Sequence, residues 1–462
     1  MEKKGISRRD FISHCAIIGA ATTAAGNLLT SCSSDSSSSS SSDTGYVPLV
    51  SDHPVYIPEV GDKAIDGKPI RAGLIGCGGR GTGAALNYLE SGDNLSIVAM
   101  ADIFEDRQQN SKAKIEEAQN AKIDDSKVYL GFEAYKKVCE DPDIDYIIVG
   151  SPSIFHSTHA KYALEQGKHV FCEKPAGIDP VSCRLMMSAI TIAKARNLCL
   201  QMGTQRHHGR NYNEGYRRVR EGYIGRITSA VLKWNQGSFF FQTRQPGWTD
   251  MEYMLRDFFS WNWLCGDHVI DQLVHQLDVF QWFAHLKPIS VVGMGSQLQR
   301  QTGDIFDNFA MDIVYEGGVR VNAQARQING CANDVSETIY GTKGVWSSKG
   351  HTIHDLDGNL IWKYDAEAET HTQNNPYVLE HMDVVNHIRS NKVRNSEAET
   401  CVVAAMVGAM SRESAYTGKE LKYDEFAVSN LSLMLEKLHL GNIPNFEKSY
   451  VAPKMGEPAK NK

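Results

Sequence analysis

The chain has 462 residues, which is enough for two to four domains. With 42% hydrophobic and 22% charged residues its composition is that of an ordinary globular protein, which excludes a wholly disordered, collagen-like or purely coiled-coil chain. A net charge of −7 offers no overall basic field for nucleic acid, and past the first 31 residues no apolar run reaches the ~18 residues of a membrane span.

The N-terminus reads as an address. Lys3 and Lys4 precede Ser7-Arg8-Arg9-Asp10-Phe11-Ile12, which has the form of a twin-arginine export signal, and a small-residue apolar stretch follows from Ala16 to Leu29. Leu29-Thr30-Ser31-Cys32 resembles a bacterial lipobox with Cys32 as the lipidated residue; the competing reading is a fortuitous basic N-terminus and a buried cysteine. Ser33 to Ser42 is nearly all serine and acts as a flexible tether. Residues 1–31 are thus expected to be a signal and 32–68 a tether and lead-in. The expected location is the periplasm or cell envelope, with membrane contact only through lipid on Cys32. Setting aside Cys15 and Cys32, the eight remaining cysteines form no CxxC, so no zinc site or disulfide framework is expected, and free buried thiols are.

A βα alternation opens at residue 69. The apolar strand 70–76 runs into Gly76-Cys77-Gly78-Gly79-Arg80-Gly81, which fits GxGxxG, and a helix starts at Thr82. A second strand, Leu95 to Ala101, ends at Asp102, 21 residues beyond Gly81. Gly76 permits the tight turn, Gly78 lets backbone N–H groups approach a pyrophosphate, and Gly81 allows close helix–strand packing. Asp102 can accept from both ribose hydroxyls and repels a 2′-phosphate, so NAD is expected over NADP; Arg107 leaves room for the latter. Helical segments at Phe104–Ala118, Phe132–Cys139 and His159–Gln166 alternate with strands Tyr146–Gly150 and His169–Cys172. The expected fold is therefore α/β, beginning with a doubly wound parallel Rossmann sheet.

Strand His169–Cys172 ends in Glu173-Lys174-Pro175. Ser151-Pro152 leads to His156, and Gly266 to Asp278 reads G-x-x-x-x-D-x-x-x-H-x-x-D. These three motifs, in this order after GxGxxG, resemble the Gfo/Idh/MocA oxidoreductases (glucose–fructose oxidoreductase, inositol dehydrogenase and relatives) over nearly all of residues 70–425. The resemblance implies a Rossmann domain at 69–203, an α/β substrate domain at 204–425 with an open, mostly antiparallel sheet, and a C-terminal extension at 426–462. Strand-like stretches at Ile227–Trp234, Ile289–Gly295, Asn308–Tyr315 and Val319–Arg326 fit that second domain, and Leu431–Leu440 reads as an amphipathic piece. The resemblance also implies a sugar or glycoside substrate, with oxidation at C3 plausible by analogy, and a dimer or tetramer.

Oxidising an alcohol carbon needs a base for the hydroxyl proton and a group that favours the developing alkoxide. The resemblance gives Lys174 the hydrogen bond to the reacting oxygen, His275 the general-base role and Asp271 a supporting one. Four residues apart on a helix, Asp271 and His275 would share a face; the plainer reading is a helix cap and a core histidine. His268, Asp271 and His275 also have metal-like spacing, but no metal is expected. Gly76, Gly78, Gly79, Arg80, Gly81, Asp102, Ser151, Pro152, His156, Glu173 and Lys174 are the expected cofactor residues. Residues 234–263 hold four of the seven tryptophans, together with Phe239, Phe240 and Phe241. Rings interleaved with polar groups suit pyranose faces and edges. Arg206, Trp234, Arg256, Trp261 and Trp263 are the expected substrate residues, with ordinary core or an oligomer contact as the alternative for any single ring.

Three activities fit: a sugar or glycoside dehydrogenase with tightly bound cofactor, an NAD-dependent glycosidase working by transient oxidation and elimination, and a non-catalytic sugar-binding lipoprotein. Glycosidases of that type depart from Glu-Lys-Pro at the lysine, and Lys174 is intact, which favours net oxidoreduction.

Overall fold

The computed structural model describes residues 56–237, 241–392 and 396–456. The export signal, Cys32, the serine tract, Phe239, Phe240 and residues 457–462 lie outside the described residues.

The first sheet has six strands: β1 (Ile70–Ile75), β2 (Leu95–Asp102), β3 (Val128–Leu130), β4 (Tyr146–Val149), β5 (His169–Glu173) and β6 (Leu200–Gly203). Their order is β3-β2-β1-β4-β5-β6 and every neighbouring pair is parallel. β4 is buried throughout, as a parallel strand with helices on both faces must be. The order reverses between β1 and β4, so the turns after these two strands face one crevice at the C-terminal edge. Those turns carry Gly76–Gly81 and Ser151–Pro152. Helix α1 (Gly79–Glu90) follows the first. Helix α2 (His156–Glu165) follows the second, one turn earlier than the expected start at His159, because a 3₁₀ turn at Ser153–Phe155 leads directly into it.

After Gly203 the chain crosses to a nine-stranded sheet. Its strands are β7 (Ile227–Gln236), β8 (Pro288–Ser296), β9 (Asn308–Tyr315), β10 (Arg320–Gln327), β11 (Asp334–Gly341), β12 (Gly344–Ser347), β13 (Thr352–Asp355), β14 (Leu360–Lys363) and β15 (Leu421–Lys422). Apart from the parallel pair β7–β10, its neighbours run antiparallel. In β10, Val321, Ala323 and Ala325 are buried while Arg320 and Asn322 are exposed, the period-two signature of a sheet covered on one face. The cover is helix α3 (Val274–Ala284), buried along its whole length, packed on β7 and β11, and beside it helix α4 (Ser396–Thr417), packed on β8.

Two segments depart from expectation. The helix Pro376–Ser390 returns to the first domain. Its Val378, Leu379, Met382 and Val385 share one core with Leu74, Ala84, Tyr88 and Phe171. Residues 431–440 form neither helix nor strand. The chain is laid along the helix Pro180–Arg196, where Leu433 N–H donates to Asp179 Oδ2 at 2.7 Å and Arg184 donates to the carbonyls of Ala427 and Ser429. Partners from another element satisfy that backbone, so it needs no turns of its own.

Candidate active site

The crevice between β1 and β4 is lined by Gly76, Gly78, Gly79, Arg80, Asp102, Ser151, Pro152, His156, Glu173, Lys174 and Asp271. Its glycines divide the labour. At Gly76 φ is +90°, and a Cβ there would lie 2.5 Å from Ser151 N. A Cβ on Gly81 would lie 1.9 Å from Gly76 O, so α1 packs against the turn only with hydrogen at this position. Gly78 and Gly79 face open space, with nothing within 4 Å of an added Cβ. The start of α1 has no side-chain cap and no acidic residue in its first turn, which leaves its N–H groups and positive dipole end for an anion. Asp102, at the end of β2, accepts from Cys77 N–H at 2.6 Å and Phe104 N–H at 2.8 Å. Burial raises its carboxyl while these two N–H bonds work against that. The arrangement fits the pyrophosphate and adenosine ribose of a dinucleotide.

Ser151 and Pro152 are fixed by His156. Its ring lies between the carbonyl oxygens of Ser151 (2.7 Å from Nε2) and Pro175 (2.9 Å from Nδ1), tying the turn after β4 to the Glu173-Lys174-Pro175 turn after β5. Ser151 Oγ also meets His159 Nδ1 at 3.1 Å.

At the reactive end, Lys174 Nζ donates to the Asp271 carbonyl and lies 3.5 Å from Asp271 Oδ1. Gln272 Nε2 donates to Asp271 Oδ2 at 2.5 Å. The expected single helix face is not formed. Asp271 ends a short helix, His268–Asp271, and His275 begins the next at Val274, with Gln272 and Leu273 between them. The carboxylate therefore holds the ammonium of Lys174. The His275 ring stacks on Trp234 (centroids 5.5 Å, 20°). Burial, then the charges of Lys174 and Arg206, push His275 well below the usual imidazole range, so its ring is neutral. Arg206 forms an ion pair with Glu337 at 2.6 Å and stands over the Trp234 ring at 5.8 Å.

Other sequence-derived residues fall elsewhere. Trp261 is buried against Tyr253, Phe446 and Tyr450, and Trp263 is 3% exposed; both belong to the packed core, as their apolar neighbours dictate. Arg256 is an interdomain clamp. It binds Asp106 through two contacts of 2.9 and 3.0 Å, pairs with Glu252 and covers the Phe104 ring at 4.0 Å. These partners occupy its guanidinium at the adenosine end, away from the reacting groups. Leu255, Phe258 and Phe259 from the same segment line the nucleotide crevice. His268 Nδ1 faces Asp267 (3.0 Å) and the Phe306 carbonyl (3.1 Å), and among the described residues its ligand atoms do not cluster with those of Asp271 and His275.

Three site residues gave no sequence signal. Tyr377 and Glu380 lie on the helix that returns to the first domain, and Glu337 lies on β11. Arg80 Nε is 2.8 Å from Glu173 Oε1, in contact but not aligned as a hydrogen bond, and its guanidinium covers the Tyr377 ring at 4.8 Å. Glu380 is fully buried with both oxygens unpartnered, and burial and the Glu173 charge push its carboxyl well above the usual range. The Asn375 cap and Pro376 mark the start of that helix, but nothing local marks where it docks.

Residues 70–204 match the oxidoreductase family with the NAD-binding Rossmann fold of Gfo/Idh/MocA proteins, and residues 212–347 match the Gfo/Idh/MocA C-terminal domain, together more than half of the chain. The chain belongs to this family. Its first domain is an NAD-binding Rossmann domain, as the glycine turn and Asp102 require. Among family relatives, it is 26% identical over 377 residues to myo-inositol 2-dehydrogenase of Thermotoga maritima, covering 77% of this chain and 99% of that one. It is 25% identical over 234 residues to a glycosyl hydrolase family 109 protein of Solibacter usitatus, and there spans about half the relative's length: 50% of this chain, 52% of the other. The scyllo-inositol dehydrogenase of Lactobacillus casei, solved with bound NAD(H) and scyllo-inositol, shares the fold with a TM-score of 0.59 at 21% identity, covering 77% of this chain and 99% of that one.

Proposed function

We propose that this protein is an NAD-dependent oxidoreductase that oxidises a ring hydroxyl of a sugar or glycoside. One observation carries the reading: at the end of the dinucleotide crevice the ammonium of Lys174 from the first domain is held by Asp271 of the second, four residues before the buried His275 whose ring stacks on Trp234. NAD, when bound, supplies the hydride acceptor. Lys174 would hydrogen-bond the substrate oxygen and favour its alkoxide character, and His275 would take the hydroxyl proton. Asp271 fixes the ammonium, and Trp234 fixes the plane of the imidazole. The inositol dehydrogenase relatives and the Glu173-Lys174-Pro175 turn support this reading; C3 as the reacting carbon rests on family analogy alone. Asp102 supports NAD over NADP by repulsion of a 2′-phosphate.

The Ser7–Ile12 motif and the Leu29–Cys32 sequence support export through the twin-arginine route and lipid anchoring at Cys32. An exported enzyme without a free nicotinamide pool must carry its cofactor, and the Leu255–Phe259 cover supports tight retention. Ile289, Val292, Met294, Val335 and Tyr340 are exposed along the nine-stranded sheet, which supports pairing of copies through that face. The Solibacter relative favours a second reading, a glycosidase that oxidises, eliminates, adds water and reduces back.

The test is a panel of monosaccharides, disaccharides and p-nitrophenyl glycosides with the purified mature protein. Reduction of the nucleotide with no aglycone release supports the dehydrogenase. Aglycone release without net reduction replaces it with the glycosidase, and neither response overturns both.

A further inference from the structure

We infer that the cavity beside Arg206 and Tyr377 is a binding subsite for a second ring, so that the substrate is a glycoside of at least two rings. This rests on the reading of the adjoining crevice as a sugar-oxidation site.

The cavity measures about 390 Å³, within the range of roughly 300–1,000 Å³ usual for small-molecule pockets. Its floor is the turn Gln205–His208 and the start of the helix Arg210–Arg220. Its rim is the chain after β14 and the N-terminal turn of the helix Pro376–Ser390. Tyr212, Tyr364 and Tyr377 supply flat rings, and Gln205, Asn211 and Asn374 supply amides. Rings for pyranose faces and planar amides for hydroxyl edges are the chemistry of a neutral, polyhydroxylated ligand.

Two further observations favour such an occupant. Gln205 Oε1 and Arg210 Nε are buried without hydrogen-bond partners, although both residues line the cavity. One accepts and the other donates, and a sugar hydroxyl does both. Both terminal nitrogens of Arg210 donate to backbone carbonyls, Nη1 to Val60 and Nη2 to Gly61 and Gln373. The charge of Arg206 is already met by Glu337, and Glu369 stands in the same lining as Arg210, so the cavity does not select an anion.

Two side chains that line the cavity lead towards the reactive end. Arg206 faces the cavity and also stands over Trp234, whose indole stacks on His275. Tyr377 faces the cavity and also lies under the guanidinium of Arg80 from the glycine turn. A ring oxidised between Lys174 and His275 would therefore have its glycosidic neighbour on the side of Arg206 and Tyr377.

The experiment compares kcat/KM for nucleotide reduction by the full-length protein with glucose, galactose and N-acetylglucosamine against cellobiose, lactose, maltose and chitobiose. At least one disaccharide is expected to exceed its monosaccharide by about tenfold, the worth of one well-buried aromatic anchor. Tyr364→Ala and Asn374→Ala, each checked for an unchanged melting temperature, should collapse that ratio towards one. Equal kcat/KM for disaccharides and monosaccharides overturns the subsite while leaving the oxidoreductase reading in place. If no sugar reduces the nucleotide, the oxidoreductase reading fails, and the subsite is judged by calorimetric titration with the same disaccharides. Binding that Tyr364→Ala abolishes upholds it; no binding, or equal binding to the variant, overturns it.

Discussion

Gly78→Ala and Gly81→Ala lie three residues apart in one turn and should fail in opposite ways. Gly78 has φ −71° and ψ −177°, which alanine adopts freely, and its added Cβ meets nothing within 4 Å. Folding should therefore be unaffected, or strengthened by about 0.4–1 kcal/mol through a stiffer unfolded chain. The same methyl, however, occupies the space through which the first N–H groups of α1 approach a pyrophosphate. A hydrogen bond to a charged group contributes about 1.5–3 kcal/mol, so losing two weakens nucleotide binding by about 3–6 kcal/mol, roughly 10²- to 10⁴-fold. At Gly81 the added Cβ is 1.9 Å from a backbone oxygen of Gly76, where no side-chain rotation gives relief. Such overpacking costs about 1–3 kcal/mol of stability. Thermal melting of nucleotide-free protein and fluorescence titration with NADH separate the two outcomes. A Gly78→Ala protein that binds NADH like the wild type, or that melts as low as Gly81→Ala, would refute the division of roles.

Lys174→Met should lower kcat by about 10²- to 10⁴-fold, the usual worth of a positioned proton-handling group. Because burial, Lys174 and Arg206 together depress His275, losing the ammonium should move the acid limb of kcat/KM to higher pH; an unmoved limb would remove His275 as the base. Arg256→Ala opens the clamp on Asp106 and Phe104 over the adenosine end. With Asp106 half exposed, its ion pair contributes about 0.2–1 kcal/mol, so stopped-flow release of NADH should quicken up to about fivefold, and an unchanged rate would count against the clamp. His159 is held down at about 3 by burial and by His156, below its unfolded value of about 6.5. Its contribution is therefore complete above about pH 6.5 and is lost as pH falls towards 3, at up to about 1.4 kcal/mol per unit. Melting curves of His159→Gln should flatten over that window, and an unaltered slope would exclude the effect.

Local chemistry was legible in the sequence where it rests on backbone constraints. The glycine turn, Asp102 and the Glu173-Lys174-Pro175 turn each sit at a strand end that an apolar run announces, and β7 to β10 are found within two residues of their expected limits. The strands β12 to β14 have four residues each, too short for a periodic signal, and β11 mixes polar residues on its buried side. Trp261 and Trp263 misled because composition records that rings cluster, not which way they face. Arg256 misled for a related reason: its partner Asp106 is 150 residues earlier in the chain. Glu337, Tyr377 and Glu380 reach the site only through tertiary docking of elements whose own sequences carry no motif. The broken helix between Asp271 and His275 was likewise hidden, because a four-residue spacing looks the same whether one helix or two carry it.

The free cysteines bear on durability. Seven of the eight in the described residues are buried, and Cys331 alone is exposed. Among the described residues no disulfide links these two lobes, and their cohesion comes from side-chain packing and from contacts such as Arg412 reaching the carbonyls of Ile178 and Gly266. Among the described residues an ambient oxidant would find one exposed thiol and no disulfide to break. Within the described residues the fold is thus held by packing that a change of redox surroundings does not sever.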